Sequence, residues 1–153
     1  MLRIAKLTDY GIVLMAHLAR EGDGALFSSP DLATATRIAP PTVSKLLKHL
    51  SKSGLLSSTR GVNGGYRLAR PATDIDVADI IEALEGPLAM TECADHRVSS
   101  CEEETCCPLK SHWNHINLAV KTALRSISLA QLAAPIPHYN LVGRAHNAEA
   151  IDA

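Results

Sequence analysis

Apolar positions along most of this chain recur with a helical rather than a strand period. Ile4, Leu7, Gly11, Leu14 and Leu18 stand three or four residues apart, which predicts an amphipathic helix over residues 3–20. Arg20-Glu21-Gly22-Asp23-Gly24 stops it in a turn. Ser28-Ser29-Pro30-Asp31 then opens a short helix from Pro30 to about Thr36. Ser29 is expected as its N-cap, Pro30 at its first position and Asp31 against its positive end. Ile38-Ala39-Pro40 breaks that helix, and a third runs from Pro40 to Lys52-Ser53 with Gly54 as its stop. In it Val43, Leu46, Leu47 and Leu50 fall at i, i+3, i+4 and i+7, so they face a core.

Two short extended runs follow, Leu55–Thr59 and Tyr66–Ala69. Arg60-Gly61-Val62-Asn63-Gly64-Gly65 lies between them, rich in residues that accept positive φ, and predicts a β-hairpin. A fourth helix starts near Asp76, carries Val77, Ile80, Ile81 and Leu84 on one face, and ends at Glu85-Gly86-Pro87. Periodicity is lost over 88–107, the segment that holds every cysteine. From Pro108 to about Leu132 a single helix is expected, roughly 25 residues or ~37 Å long. Its stripe of Trp113, Ile116, Val120, Ala123, Ile127 and Ala130 is longer than a small domain can cover, which marks a dimerisation helix with Trp113 as a packing anchor. Residues 133–153, with Pro135 and Pro137, read as a disordered tail.

The order of helix, short helix, turn, helix and hairpin is that of a winged helix-turn-helix. The expected fold is therefore mainly α. Residues 1–72 form a winged helix-turn-helix with a small two-stranded β wing, 73–87 a connecting helix, 88–107 a cysteine loop and 108–132 a long C-terminal dimerisation helix.

At 153 residues and 46% hydrophobic, the chain can bury one real core. No apolar run approaches the ~20 residues of a membrane span. The first ten residues lack a secretory signal, so a cytoplasmic protein is expected. Aromatics at 3% argue against modules that stack single-stranded bases. The formal net charge of −1 conceals +6 over residues 1–71 and −7 over the remainder. Only the first part suits a polyanion.

The third helix sharpens this. Thr42, Lys45, His49 and Lys52 lie away from its apolar face, flanked by Ser44, Lys48 and Ser51, and no acid interrupts them. Short hydroxyls near the helix start suit base edges, and cations further along suit phosphates. A solvated helix face would carry the same lysines, but its place before a hairpin favours DNA. In the hairpin, Arg60 can enter a narrow minor groove, with Arg67 on the return strand, and Gly61, Gly64 and Gly65 permit close backbone approach. The glycines are not a phosphate-binding fingerprint, because no strand-to-helix passage follows them. With no nucleophile–base pair either, neither an enzyme nor a small-molecule substrate is expected. A cluster carrier would leave no footprint on duplex DNA, and the basic helix argues against one.

Cys93, Cys101, Cys106 and Cys107 contain no C-x2-C knuckle, so the zinc-ribbon pattern is absent. Glu92, Asp95 and Glu102 to Glu104 already make the loop acidic, and thiolates need a neutralising centre there. A thiolate-held iron–sulfur cluster, 2Fe-2S or 4Fe-4S, meets that need. A disulfide-forming redox sensor and a zinc site stay open on the residues alone. Adjacent Cys106 and Cys107 cannot easily both face one centre, so one of them is a bystander.

Leu7-Thr8-Asp9-Tyr10-Gly11, the run Ser57 to Ala69 and Cys107-Pro108-Leu109 leading to Trp113 resemble the Rrf family of bacterial winged-helix regulators. IscR, NsrR and RirA are its iron–sulfur members. The resemblance covers roughly residues 1–132. Cys107 to Asn117 is most similar to the branch that controls the SUF iron–sulfur assembly operon. The resemblance implies three cluster ligands in the loop: Cys93, Cys101 and Cys107, with Cys106 as the alternate. IscR-like members place a histidine ligand where this chain has Lys110. NsrR-like members carry an aspartate that matches Asp9, which becomes the fourth-ligand candidate, with His112 outside it. Where IscR-like proteins have a glutamate in the reading helix, this chain has Ser44, so their operator does not transfer. What is implied is a homodimeric repressor of iron–sulfur assembly genes that binds a double-stranded palindromic operator. A nitric-oxide or iron-responsive repressor, or a cluster-free thiol sensor, is the alternative.

Overall fold

The computed structural model describes residues 4–22, 24–91, 101 and 107–135. Its elements run α1 (Lys6–Arg20), α2 (Ser29–Thr36), α3 (Pro40–Lys52), β1 (Leu56–Thr59), β2 (Gly65–Leu68), a 3-10 turn (Ala72–Asp74), α4 (Val77–Glu85), α5 (Lys110–Arg125) and α6 (Leu129–Ala133). The mainly α winged helix-turn-helix with its two-stranded wing is thus present. Among the described residues, no helix is long and apolar enough to cross a membrane.

The helical faces are those expected from spacing, except that α1 begins at Lys6 and leaves Ile4, expected on its apolar stripe, outside the helix and exposed. Leu14 and Leu18 of α1 and Val43, Leu46, Leu47 and Leu50 of α3 are buried together with Leu32, Leu56, Ile75 and Ile80. Gly11 sits where α1 crosses α3 and α4, and a Cβ there would collide with Leu84 and touch Leu46. Glycine inside a helix costs about 1 kcal/mol against alanine, and here the close crossing requires it.

Local capping sets most boundaries. The α2 N-cap is Ser28, not Ser29. Its hydroxyl accepts from the Asp31 N–H and the Asp31 carboxylate accepts from the Ser28 N–H, a reciprocal capping box. The serine three residues before the acid completes that box, so α2 starts one residue earlier than expected. Asp76 and Asp79 cap α4 in the same way.

The hairpin register pairs Leu56 with Leu68, Ser57 with Arg67, Ser58 with Tyr66 and Thr59 with Gly65. A third segment joins it. Phe27 and Tyr66 exchange backbone hydrogen bonds of 3.0 and 2.8 Å, which ties the entry to α2 onto the wing.

The helix expected over 108–132 is two helices. Ser126 closes α5 and Ser128 opens α6, in a Ser128–Gln131 capping box. Between them the backbone extends to pair with the strand-like approach to α4. Val77 N–H donates to Ile127 O at 3.0 Å, and Leu129 N–H to Ile75 O at 2.7 Å. α5 is therefore ~24 Å long, not ~37 Å. α6 turns back onto α1, with Leu129 fully buried and Arg20 Nε donating to Ala133 O at 3.1 Å. Ile127 and Ala130 consequently leave the stripe that Trp113, Ile116, Val120 and Ala123 share on α5. The tail expected over 133–153 begins inside α6 at Ala133, and residues 136–153 lie outside the described residues.

Candidate nucleic-acid interface

Val43, Leu46, Leu47 and Leu50 are fully buried, and this fixes which side of α3 faces outward. Lys45, Lys48, His49, Lys52 and Ser44 are exposed, while Thr42 is half-buried at the edge of the face. Directly opposite the core, Pro41, Lys45, Lys48 and Lys52 follow at i, i+4, i+7 and i+11, and Pro41 is exposed. Sequence reasoning centred the stripe on Thr42 and His49 and left Pro41 out, although its spacing to Lys45 and Lys48 was legible. Ser44 Oγ lies 3.4 Å from Ser29 Oγ of α2, which links the two helices of the helix-turn-helix at this face.

Charge supports the same surface. Residues 32–73 contain no Asp or Glu, and they carry Arg37, Lys45, Lys48, Lys52, Arg60, Arg67 and Arg70. One of these is committed elsewhere, since Arg70 pairs with Asp79 of α4. Arg67 stands on the outer side of the wing, its Nε donating to Ser57 Oγ across the strand pair at 3.2 Å. Arg60 and Gly61 are exposed at the tip, where Gly61 takes a φ of 119° and the Gly64 N–H closes the turn onto Gly61 O at 3.0 Å. Val62 projects fully into solvent beside them. Gly65 does something different. It is buried in β2 against the Phe27 carbonyl, which a Cβ would strike, so it seats the wing on the body instead of facing outward.

Within the cysteine segment the structure describes residues 88–91, 101 and 107. Cys101 is exposed and Cys107 half-buried, while Cys93 and Cys106 lie outside the described residues. Asp9 is exposed on α1 and His112 exposed on α5. Among the described residues, no three His, Cys, Asp or Glu side chains are gathered as a metal ion requires. The donor chemistry nevertheless suits a thiolate-bound centre. Structural cysteines are ordinarily buried as small hydrophobes, and neither described cysteine is in the core. The start of the segment is bonded to α5, and its end leads into α5 through a turn. Met90 N–H donates to Asn117 Oδ1 at 3.2 Å, and Lys110 N–H donates to Cys107 O at 3.3 Å.

α5 itself is half covered. Lys121 Nζ meets Glu82 Oε1 of α4 at 2.6 Å, and Val120 and Leu124 line a shared cleft with Ile81. The neighbouring side of the helix carries Leu109 and Ile116, 55% and 43% exposed, and α5 buries no residue fully.

A protein family described as Rrf2, iron-dependent transcriptional regulator, matches residues 4–135. The protein rrf2 of Nitratidesulfovibrio vulgaris is 31% identical over 131 residues, spanning 86% of this chain and 87% of its own. The HTH-type transcriptional regulator NsrR of Halalkalibacterium halodurans is 28% identical over 131 residues, covering 86% and 90%. Among solved structures, CymR, the global cysteine regulator of B. subtilis, is 31% identical with a TM-score of 0.67, covering 87% of this chain and 97% of its own. The T. potens IscR structure is 31% identical with a TM-score of 0.64, covering 86% and 85%.

Proposed function

Because the chain belongs to the Rrf2 family of transcriptional regulators, which are DNA-binding proteins and not enzymes, we propose that it is a cytoplasmic homodimeric repressor of SUF-type iron–sulfur assembly genes. Its affinity for a palindromic operator answers to an iron–sulfur cluster. The observation that carries the DNA reading is the acid-free outer face of α3, with Lys45, Lys48 and Lys52 exposed opposite a fully buried Val43 and Leu50. Thr42, Ser44, Lys45 and His49 address base edges in the major groove, and Lys48 and Lys52 the phosphates. Arg60 enters the minor groove at the wing tip, with Gly61 and Gly64 allowing close approach and Arg67 on the flank.

Cys93, Cys101 and Cys107 would hold the cluster, with Cys106 as the alternate and Asp9 as the fourth donor. When bound, the cluster supplies a thiolate crosslink whose presence depends on iron supply and oxidants. The chain's own residues carry that state toward the DNA face. Asn117 ties the segment to α5 through the Met90 N–H, Cys107 leads into α5 through a turn, and Lys121 and Glu82 tie α5 to α4. A ligand that orders this segment biases a two-state placement of α5. Two copies joined along the Leu109–Ile116 side of α5 would present two reading helices to a two-fold operator.

A second reading is a cluster-free thiol regulator, favoured by the exposure of Cys101, the half-burial of Cys107 and the likeness to CymR, a global cysteine regulator. A nitric-oxide-responsive or iron-responsive repressor of the same fold is the alternative within the cluster reading. Anaerobic purification with visible absorbance and with iron and sulfide counts separates them, followed by operator binding before and after cluster removal. Stoichiometric sulfide with a cluster-dependent change in DNA affinity is expected. Absence of acid-labile sulfide, with affinity that follows thiol oxidation, would favour the thiol reading.

A further inference from the structure

We propose that the leading tip of α3 selects thymine through its C5-methyl group, with Pro41 as the contacting residue and Pro40 beside it. This rests on the duplex-DNA reading above and specifies which bases that reading helix can recognise.

The tip has few backbone donors to offer. Pro40 and Pro41 have no N–H. The Thr42 and Val43 N–H groups both donate to Ala39 O, at 2.9 and 3.1 Å, and no side chain caps the helix. From Pro40 to Val43 α3 therefore offers no free backbone donor to a phosphate or a base edge, and of the four that an ordinary helix start presents only that of the N-cap Ala39 remains.

The side chains narrow the choice further. Pro40–Lys52 contains no Arg, Asn, Gln, Asp or Glu. The bidentate partners of adenine are Asn and Gln, and carboxylates are the strong acceptors from the cytosine amino group. None of these is present on this helix, which leaves polar reading to the single hydroxyls of Thr42, Ser44 and Ser51 and to Lys45 and His49. Lys45 and His49 can reach guanine acceptors, and Lys48 and Lys52 can reach phosphates. The one base feature left for the apolar tip is the thymine methyl, which apolar side chains recognise by contact.

Placement agrees. Pro41 is exposed on the same line as Lys45, Lys48 and Lys52, directly opposite the buried face. One proline suffices to set a helix start. The second adds an exposed apolar ring at the end of α3 that a groove-entering helix presents first.

The test uses the full-length chain, with and without chelator treatment, and a duplex selected from a randomised pool. The selected duplex is resynthesised with deoxyuridine replacing thymidine one position at a time, which removes only the methyl. At one or two positions per half-site, affinity should fall about fourfold, the worth of one buried methyl-sized group. Pro41→Ser, checked for an unchanged thermal melt, should bind the thymidine and deoxyuridine duplexes equally at those positions. Failure to select any duplex would overturn the DNA reading itself. Selection succeeding with affinity indifferent to every methyl would overturn only this proposal. A methyl effect that persists unchanged in Pro41→Ser and in Pro40→Ser would also overturn it, because the contact would then lie elsewhere. If Pro41→Ser does not fold, Pro41→Ala decides by the size of its methyl effect. A reduced effect supports the contact and an unreduced one overturns it.

Discussion

Leu129 donates its backbone N–H to Ile75 O at 2.7 Å while its side chain is completely buried. The pair joins the far end of the chain to the approach to α4, and both side chains belong to the same core as Leu14 and Leu46 of the helix-turn-helix. The reading unit is thus closed by residues far along the sequence. Leu129→Ala should destabilise the protein by about 2–5 kcal/mol, through lost burial and the cavity left behind. Urea unfolding measures this, and a change under 1 kcal/mol would mean that α6 is not part of the cooperative core. A fragment ending at residue 72 should lack a cooperative transition.

Lys48→Ala and Lys52→Ala should weaken binding to specific and random duplexes alike, each lowering the log–log salt slope by about 1. Val62→Ser should leave that slope unchanged, because an apolar side chain releases no counterions. Binding titrations at several salt concentrations compare the three. A slope unmoved by either lysine would remove them from the phosphate contacts.

Cys107→Ser should abolish visible absorbance of the anaerobically purified protein, and Cys106→Ser should retain it. The opposite result would transfer the ligand to Cys106. Retained absorbance in a Cys93→Ser, Cys101→Ser, Cys107→Ser triple variant would sink the cluster assignment altogether.

Ile116→Glu places a charge on the uncovered side of α5, where a second copy would have to desolvate it. Sedimentation should find monomer for the variant and dimer for the parent, with unchanged helical circular dichroism. Tenfold or greater loss of operator affinity should accompany the monomer, since half-site contacts no longer act together. A dimeric variant would put the self-association surface elsewhere.

Much of the fold was legible because it is locally encoded. The faces of α1, α3 and α4 follow from apolar spacing, and the wing from its glycine-rich turn between two extended runs. Even the break at residues 126–128 carried a local trace, since Ser128 and Gln131 have capping-box spacing. An unbroken run of apolar positions outweighed that trace, and the expected helix came out too long. The outward lysines of α3 were legible for the same reason as its core, because one periodicity places both.

What sequence by itself determined is the set of short-range choices: which residues cap, which face inward, and where acids are excluded from a basic run. Only the tertiary structure decided the rest, through backbone pairings between distant segments. Ile127 and Leu129 pair with Val77 and Ile75, which ends α5 early and folds α6 onto α1. Phe27 pairs with Tyr66, which turns Gly65 from a wing-tip candidate into a buried seat for the wing. Such bonds satisfy groups that each segment leaves open on its own. Their partners are set by how the core packs, not by any neighbouring residue.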